Sequence, residues 1–214
     1  MRRTSSPPVD RFICNFDAAL RATVGGMGQT GRPSPGAGIA DSPMPDTARQ
    51  TSGRLMRVNH TGEVCAQALY NGQALSARSP RVAKSFREAA AEEEDHLYWC
   101  ESRIRELDSH LSYLNPIWYL GSFTMGAVTG LLGDRISLGF VAATEEEVCK
   151  HLDDHLEKLS PEDRKSREIL EQMRTDEQKH ATNALASGGT RFPEPVKKLM
   201  PMVSGLMTRT SYWI

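Results

Sequence analysis

Long runs of strong helix formers, separated by brief Ser-Pro and Asn-Pro steps, set the narrowest limit on what this chain can fold into. The stretches SFREAAAEEEDHLYWCESRIREL and SREILEQMRTDEQKHATNAL are dominated by such residues, and β-branched runs bounded by turn residues are scarce. The pattern predicts helices near 54–77, 80–109, 116–132, 136–158, 161–187 and 194–209. The fifth has the clearest start. Ser160 reads as its N-cap and Pro161 as its first turn, with Glu162 and Asp163 against the positive end of the dipole. Ser79-Pro80 and Asn115-Pro116 punctuate the earlier helices in the same way. Four long helices with short connections imply an all-α fold, an antiparallel bundle.

The 214 residues suffice for one domain with a substantial core and are few for two. Residues 1–50 hold six of the twelve prolines and a cluster of glycines, so they read as a partly flexible extension ahead of a domain over 51–214. Within the extension only Asp10 to Thr23 has the pattern of a short amphipathic helix. Its Gly26-Met27-Gly28-Gln29-Thr30-Gly31 matches GxGxxG in form, but no strand precedes it and prolines follow it, which excludes a dinucleotide site. The net charge of −1 and the lack of a basic run exclude nucleic acid as a partner. Cys14, Cys65, Cys100 and Cys149 form no CxxC pair, consistent with free thiols in a reducing cytosol. Arg2 and Arg3 precede no apolar run, so no signal peptide is expected.

Between Leu111 and Ala143 the only charges are Asp134 and Arg135. The uninterrupted apolar part, Ile117 to Leu132, contains Gly121, Gly126 and Gly130 and falls short of the roughly 20 residues that span a bilayer. Two readings stand: a helix buried in the core, or one lying in the membrane interface or lining an apolar route to a site.

The chemistry concentrates in two segments that share one pattern, Glu93-Glu94-Asp95-His96 and Glu177-Gln178-Lys179-His180. Glu and His at i and i+3 share a helix face, so both can bind one metal ion without distorting the backbone. Each pair has a lone glutamate on the preceding long helix: Glu63 lies 30 residues before Glu93, and Glu145 lies 32 before Glu177. Four carboxylates neutralise two divalent ions, which avoids the cost of an uncompensated buried charge. Mixed oxygen and imidazole donors suit iron or manganese, whereas structural zinc would call for thiolates. By spacing alone, a solvated acidic helix face is the competing reading.

Arg57-Val58-Asn59-His60-Thr61-Gly62-Glu63, the two Glu-x-x-His helices and Ala143-Thr144-Glu145-Glu146-Glu147 together resemble the demethoxyubiquinol hydroxylase family, over about residues 54 to 214. The resemblance implies a ferritin-like fold and two ferrous ions held by Glu63, Glu93, His96, Glu145, Glu177 and His180, with Glu146 as the adjacent rival to Glu145. It implies O2-dependent hydroxylation of a prenylated demethoxybenzoquinol in ubiquinone biosynthesis. It also implies peripheral attachment to the lipid of the cytoplasmic face of a bacterial inner membrane, with other ubiquinone-biosynthesis proteins as possible partners. Eukaryotic relatives carry a His-Tyr pair after the third glutamate, where this chain has His151-Leu152, so no role of that tyrosine transfers.

Metal-bound histidines usually donate their second ring N–H to a carboxylate, and Asp176 and Glu92 are placed to receive from His96 and His180 respectively. His151 and His155 read as a polar helix face rather than a second metal site. Cys100 and Cys149 read as small buried hydrophobes near the site. His60 suits either a site entrance or a helix surface, and Trp213 a membrane anchor. Two other functions compete. A ferritin- or rubrerythrin-like iron protein would need no organic substrate, and a helical scaffold would need no metal.

Overall fold

The computed structural model describes residues 16–17, 19–26, 28, 31–198 and 200–214, with the side chain of Val196 left aside. Cys14, half of the expected 10–23 helix and part of the GxGxxG match lie outside them; the described part of that helix, residues 16–17 and 19–24, is helical. Among the described residues there is no strand, and from Asp46 onward seven helices follow in order: α1 (Asp46–Ser76), α2 (Pro80–Glu106), α3 (Asn115–Leu132), α4 (Asp134–Lys158), α5 (Arg164–Ala186), α6 (Glu194–Lys197) and α7 (Met200–Trp213). The hairpin α1–α2 packs against the hairpin α4–α5, α2 facing α5 and α1 facing α4. This is the ferritin-like four-helix bundle, with α3 laid along α1 between the two hairpins and α7 against α1 and α4.

Two apolar clusters fill the bundle. Leu55, Met56, Trp99, Leu152, Leu170 and Met173 form one. Tyr70, Phe86, Leu138, Val141 and Ala184 belong to the other. On every one of the four long helices the expected ligands Glu63, Glu93, His96, Glu145, Glu177 and His180 fall between a residue of the first cluster and a residue of the second. The polar cluster is therefore sealed at both ends by hydrocarbon.

The helix starts differ from the sequence expectation in two places. α5 begins at Arg164 and is capped by Asp163, whose carboxylate accepts from the Ser166 backbone N–H at 3.1 Å. Ser160, expected as the cap, instead sits in the preceding turn and donates to Glu162. The reason is tertiary: buried Arg103 of α2 pairs with Asp163 at 2.7 Å, and this carboxylate meets both needs at once. α1 starts at Asp46, so the boundary expected at residue 50 falls inside a helix. Residues 31–45, which composition reads as linker, lie along α2 and α5. Asp41 pairs there with Arg103 at 2.8 Å and with Lys165 at 3.0 Å, and Met44 packs on the core.

α3 turns Gly126, Thr129 and Gly130 inward and its large aliphatic residues outward. A Cβ on Gly126 would come within 2.2 Å of the Leu69 carbonyl oxygen, and one on Gly72 equally close to that of Phe123. The two backbones thus touch where no side chain fits. Ile117, Leu120, Met125, Val128, Leu131 and Leu132 are exposed. At 100° per residue they form one stripe about 140° wide. α3 is therefore neither a core helix nor a span: among the described residues no helix is long and apolar enough to cross a membrane.

Candidate metal centre

The RVNHTGE run that opens the site on α1 is mostly a set of anchors. Arg57 donates to the His110 carbonyl at 2.8 Å and Thr61 donates to Asn115 Oδ1 at 2.9 Å, which ties the loop before α3 and the start of α3 to α1. Asn59 Oδ1 accepts from His155 Nδ1 of α4 at 2.8 Å. These contacts fix the rotation of α1 that turns Glu63 inward. His60 is fully buried, which removes the helix-surface alternative, and neither of its ring nitrogens has a partner among the described residues.

All six residues expected as ligands are buried and converge from four helices. Glu63, Glu93, His96 and Glu177 form one group, and Glu145, Glu177 and His180 a second, each with its donor atoms within 4.8 Å of one another. Glu177 belongs to both. Glu93 also faces both histidines, at 3.0 Å from His96 Nδ1 and 3.3 Å from His180 Nδ1. Two carboxylates between the two groups and one Glu-His pair at each end are donors that could hold divalent cations. Glu146 points away and pairs with Lys197 at 2.5 Å.

Both imidazoles face the cluster through Nδ1. Their Nε2 atoms point outward, His96 to Asp176 Oδ2 at 3.3 Å and His180 to Glu92 Oε2 at 2.9 Å. With Nε2–H donating to a carboxylate, Nδ1 is left as the free lone pair that a metal takes. Tyr70 donates its hydroxyl to Glu145 Oε1 at 2.7 Å, while Glu145 Oε2 is buried with no donor among the described residues. An orphaned buried carboxylate oxygen is a costly group unless a cation meets it.

The charges within the cluster argue the same way. Glu63 and Glu145 are pushed well above the usual carboxylate range, first by burial and then by the like charges of Glu93 and Glu177. Burial opposes ionisation of Glu93 too, but hydrogen bonds from His180 and His96 outweigh it and draw this carboxyl below its ordinary range. Burial alone would lower His180; Glu177 and Glu93 instead push it up to about 12. His96 rises likewise on the hydrogen bonds of Asp176, Glu177, Glu63 and Glu93. Four buried groups held toward their protonated forms, Glu63, Glu145, His96 and His180, around an ionised Glu93 fit a metal centre, which displaces such protons on binding.

The residues weighed outside the cluster resolve separately. His151 and His155 have different partners, Ser204 and Asn59, and do not converge on one position. Cys65, Cys100 and Cys149 are free; Cys100 packs on Met173, and burial pushes the Cys149 thiol up to about 11. Trp213 stacks on Arg54, 4.5 Å from guanidinium to ring. Leu152, at the His-Tyr departure, is a core side chain. Tyr70 was missed in the sequence. Its one signal is its place seven residues after Glu63, two turns along the same face of α1. Arg32 was missed as well, and it gave no signal: it comes from the extension, donating to Asp95 and Asp176. A cleft lined by Phe86, Glu92, Leu138, Val141 and His180 reaches the cluster from the α2–α5 side.

Comparison with known proteins adds an independent line. A family model described as ubiquinone biosynthesis protein COQ7 matches residues 50–211. Three curated proteins, each named 3-demethoxyubiquinol 3-hydroxylase, are similar over nearly the whole chain. That of Ectopseudomonas mendocina is 58 % identical over 208 residues, covering 97 % of this chain and 96 % of its own. That of Azotobacter vinelandii is 60 % identical over 206 residues, covering 96 % and 95 %. That of Nitrosococcus oceani is 53 % identical over 206 residues, covering 96 % of each.

Proposed function

The chain belongs to the COQ7 family of ubiquinone biosynthesis proteins, and from that premise we propose that it hydroxylates the ring of 3-demethoxyubiquinol to 3-demethylubiquinol with O2, at a di-iron centre. Glu63, Glu93, His96, Glu145, Glu177 and His180 hold the two irons. The observation that carries the reading is the convergence of two Glu-x-x-His pairs and two lone glutamates, with Glu177 shared, in one buried bundle interior.

Two ferrous ions, when bound, supply the electrons that reduce dioxygen, one oxygen atom entering the ring and the other leaving as water, with an external two-electron donor restoring the centre. The protein does the rest. Asp176 and Glu92 fix the tautomer and angle of both imidazoles. Tyr70 holds Glu145 by one oxygen and leaves the other for metal. The apolar side chains at each end of the cluster exclude water, so that oxidising equivalents reach the ring rather than solvent. The outward stripe of α3 supports a peripheral seat on lipid, where a quinol with a long isoprenoid tail resides. The cytoplasmic face of the bacterial inner membrane is the natural location. Residues 51–214 act as the hydroxylase domain and residues 1–50 as its extension, whose last residues, from Asp46, run into α1.

The test is turnover of a short-tailed demethoxyquinol by the iron-loaded protein under labelled dioxygen. One labelled oxygen atom in the product is expected. Label arriving from water instead, or iron uptake without any ring product, overturns the reading in favour of an iron-handling protein.

A further inference from the structure

The two halves of the site are not equivalent, and the difference comes from the N-terminal segment. Residues 31–45 form a strap along the groove between α2 and α5, the two helices that carry the Glu-x-x-His pairs. A Cβ added to Gly36 would lie in van der Waals contact, 3.4 Å from Ile169 and from Lys165 of α5, and Asp41 bridges Arg103 of α2 to Lys165. At the end of the strap nearest the cluster, Arg32 Nε lies 3.0 Å from Asp95 of α2 and Nη2 lies 2.6 Å from Asp176 of α5. Its guanidinium also stacks 4.7 Å over the Trp99 ring, whose indole N–H donates back to the Arg32 carbonyl at 3.4 Å.

Asp176 is the carboxylate to which His96 presents Nε2. Gln172 and Lys179 hold its other oxygen at 3.0 and 3.2 Å. The counterpart for His180 is Glu92, half exposed, and no arginine or lysine pairs with it among the described residues. One histidine thus rests on a buried carboxylate held by a guanidinium that also grips Asp95, the other on a half-exposed surface glutamate.

Resting on the di-metal reading above, we infer that Arg32 is a positioning residue of the metal centre, clamping Asp95 and Asp176 together so that His96 is pre-oriented and its metal position is the tighter of the two. A guanidinium suits the task because its planar fork engages two carboxylates at fixed angles, which an ammonium cannot do. The strap also ties α2 to α5 beside the centre, so it limits how far the two pairs can separate when metal is absent.

The experiment is anaerobic titration of the full-length, metal-free protein with cobalt(II), reading both stepwise affinities and the shifted, solvent-exchangeable Nε2–H resonances of the two coordinated imidazoles. In the unaltered protein, two unequal affinities and two such resonances are expected. Arg32→Ala should weaken the tighter position ten- to hundredfold, the usual cost of removing an outer partner of a metal ligand. It should also speed solvent exchange of one resonance while sparing the other. Arg32→Lys, which keeps the charge and the fold, should recover only part of the loss. Affinities within twofold of the unaltered protein in Arg32→Ala overturn the clamp, and so does equal weakening of both positions, which marks a merely structural strap. Absence of cobalt uptake by the unaltered protein overturns the metal reading itself and the clamp with it, a failure visible before any variant is made.

Discussion

Replacing Leu120 and Leu131 together by glutamate tests whether the outward face of α3 meets lipid. The two side chains stand eleven residues apart, nearly in line on the helix, and are 67 % and 66 % exposed. Full burial of a leucine contributes about 1.5–3 kcal/mol, so the two-thirds still open is worth about 1–2 kcal/mol at each position on insertion into a bilayer interface. Removing both forfeits roughly 2–4 kcal/mol of membrane affinity, before any cost of drawing the carboxylates toward hydrocarbon. At 1.4 kcal/mol per factor of ten, partitioning should fall between about thirtyfold and several hundredfold. Stability should barely move, because neither side chain packs against the bundle and open surface substitutions usually stay within about 0.5 kcal/mol. The assay is co-sedimentation with neutral phosphatidylcholine vesicles, which removes simple charge repulsion, alongside thermal melting, iron content and turnover of a short-tailed quinol on the same preparations. Normal vesicle binding by the double variant would refute the lipid contact. Unfolding or loss of iron would refute the placement of these residues outside the core.

Glu177→Ala should cost the most metal of any single ligand change, because both donor groups use this carboxylate; metal analysis and circular dichroism should find both irons reduced with helix content largely kept. Gly126→Leu should force α3 off α1, since even a Cβ would meet the Leu69 carbonyl at 2.2 Å, and thermal unfolding should register a loss at or above the 1–3 kcal/mol usual for overpacking. His60, which burial lowers to about 3, binds its proton more readily in the unfolded chain, near pH 6.5, than in the folded one. Its contribution is therefore complete above pH 6.5 and is lost as pH falls toward 3. Urea unfolding at pH 7 and pH 5 should show the native protein losing about 2 kcal/mol more than His60→Leu, and parallel losses would refute the assignment. Tyr70→Phe should retain iron yet turn over more slowly, because Glu145 loses the donor that sets its orientation; unchanged turnover would leave Tyr70 a packing residue.

What the sequence determined by itself is whatever depends on local spacing. Helix formers and proline steps fix the long helices, and the i, i+3 spacing of Glu93 with His96 and of Glu177 with His180 puts each pair on one face before any packing exists. The repeated offset between the halves then implies two similar hairpins. Tertiary structure alone decided where those faces point and what stands behind them. Asp163 rather than Ser160 caps α5 because Arg103 arrives from another helix. Arg32 reaches Asp176 across 144 positions of chain, and no window of sequence joins them. The inversion of α3, Gly126 and Gly130 inward and leucines outward, was invisible for the same reason. An apolar run reads alike whether its neighbour is protein or lipid, and only the approach of α1 to within backbone contact of Gly126 left the large side chains no place but the surface.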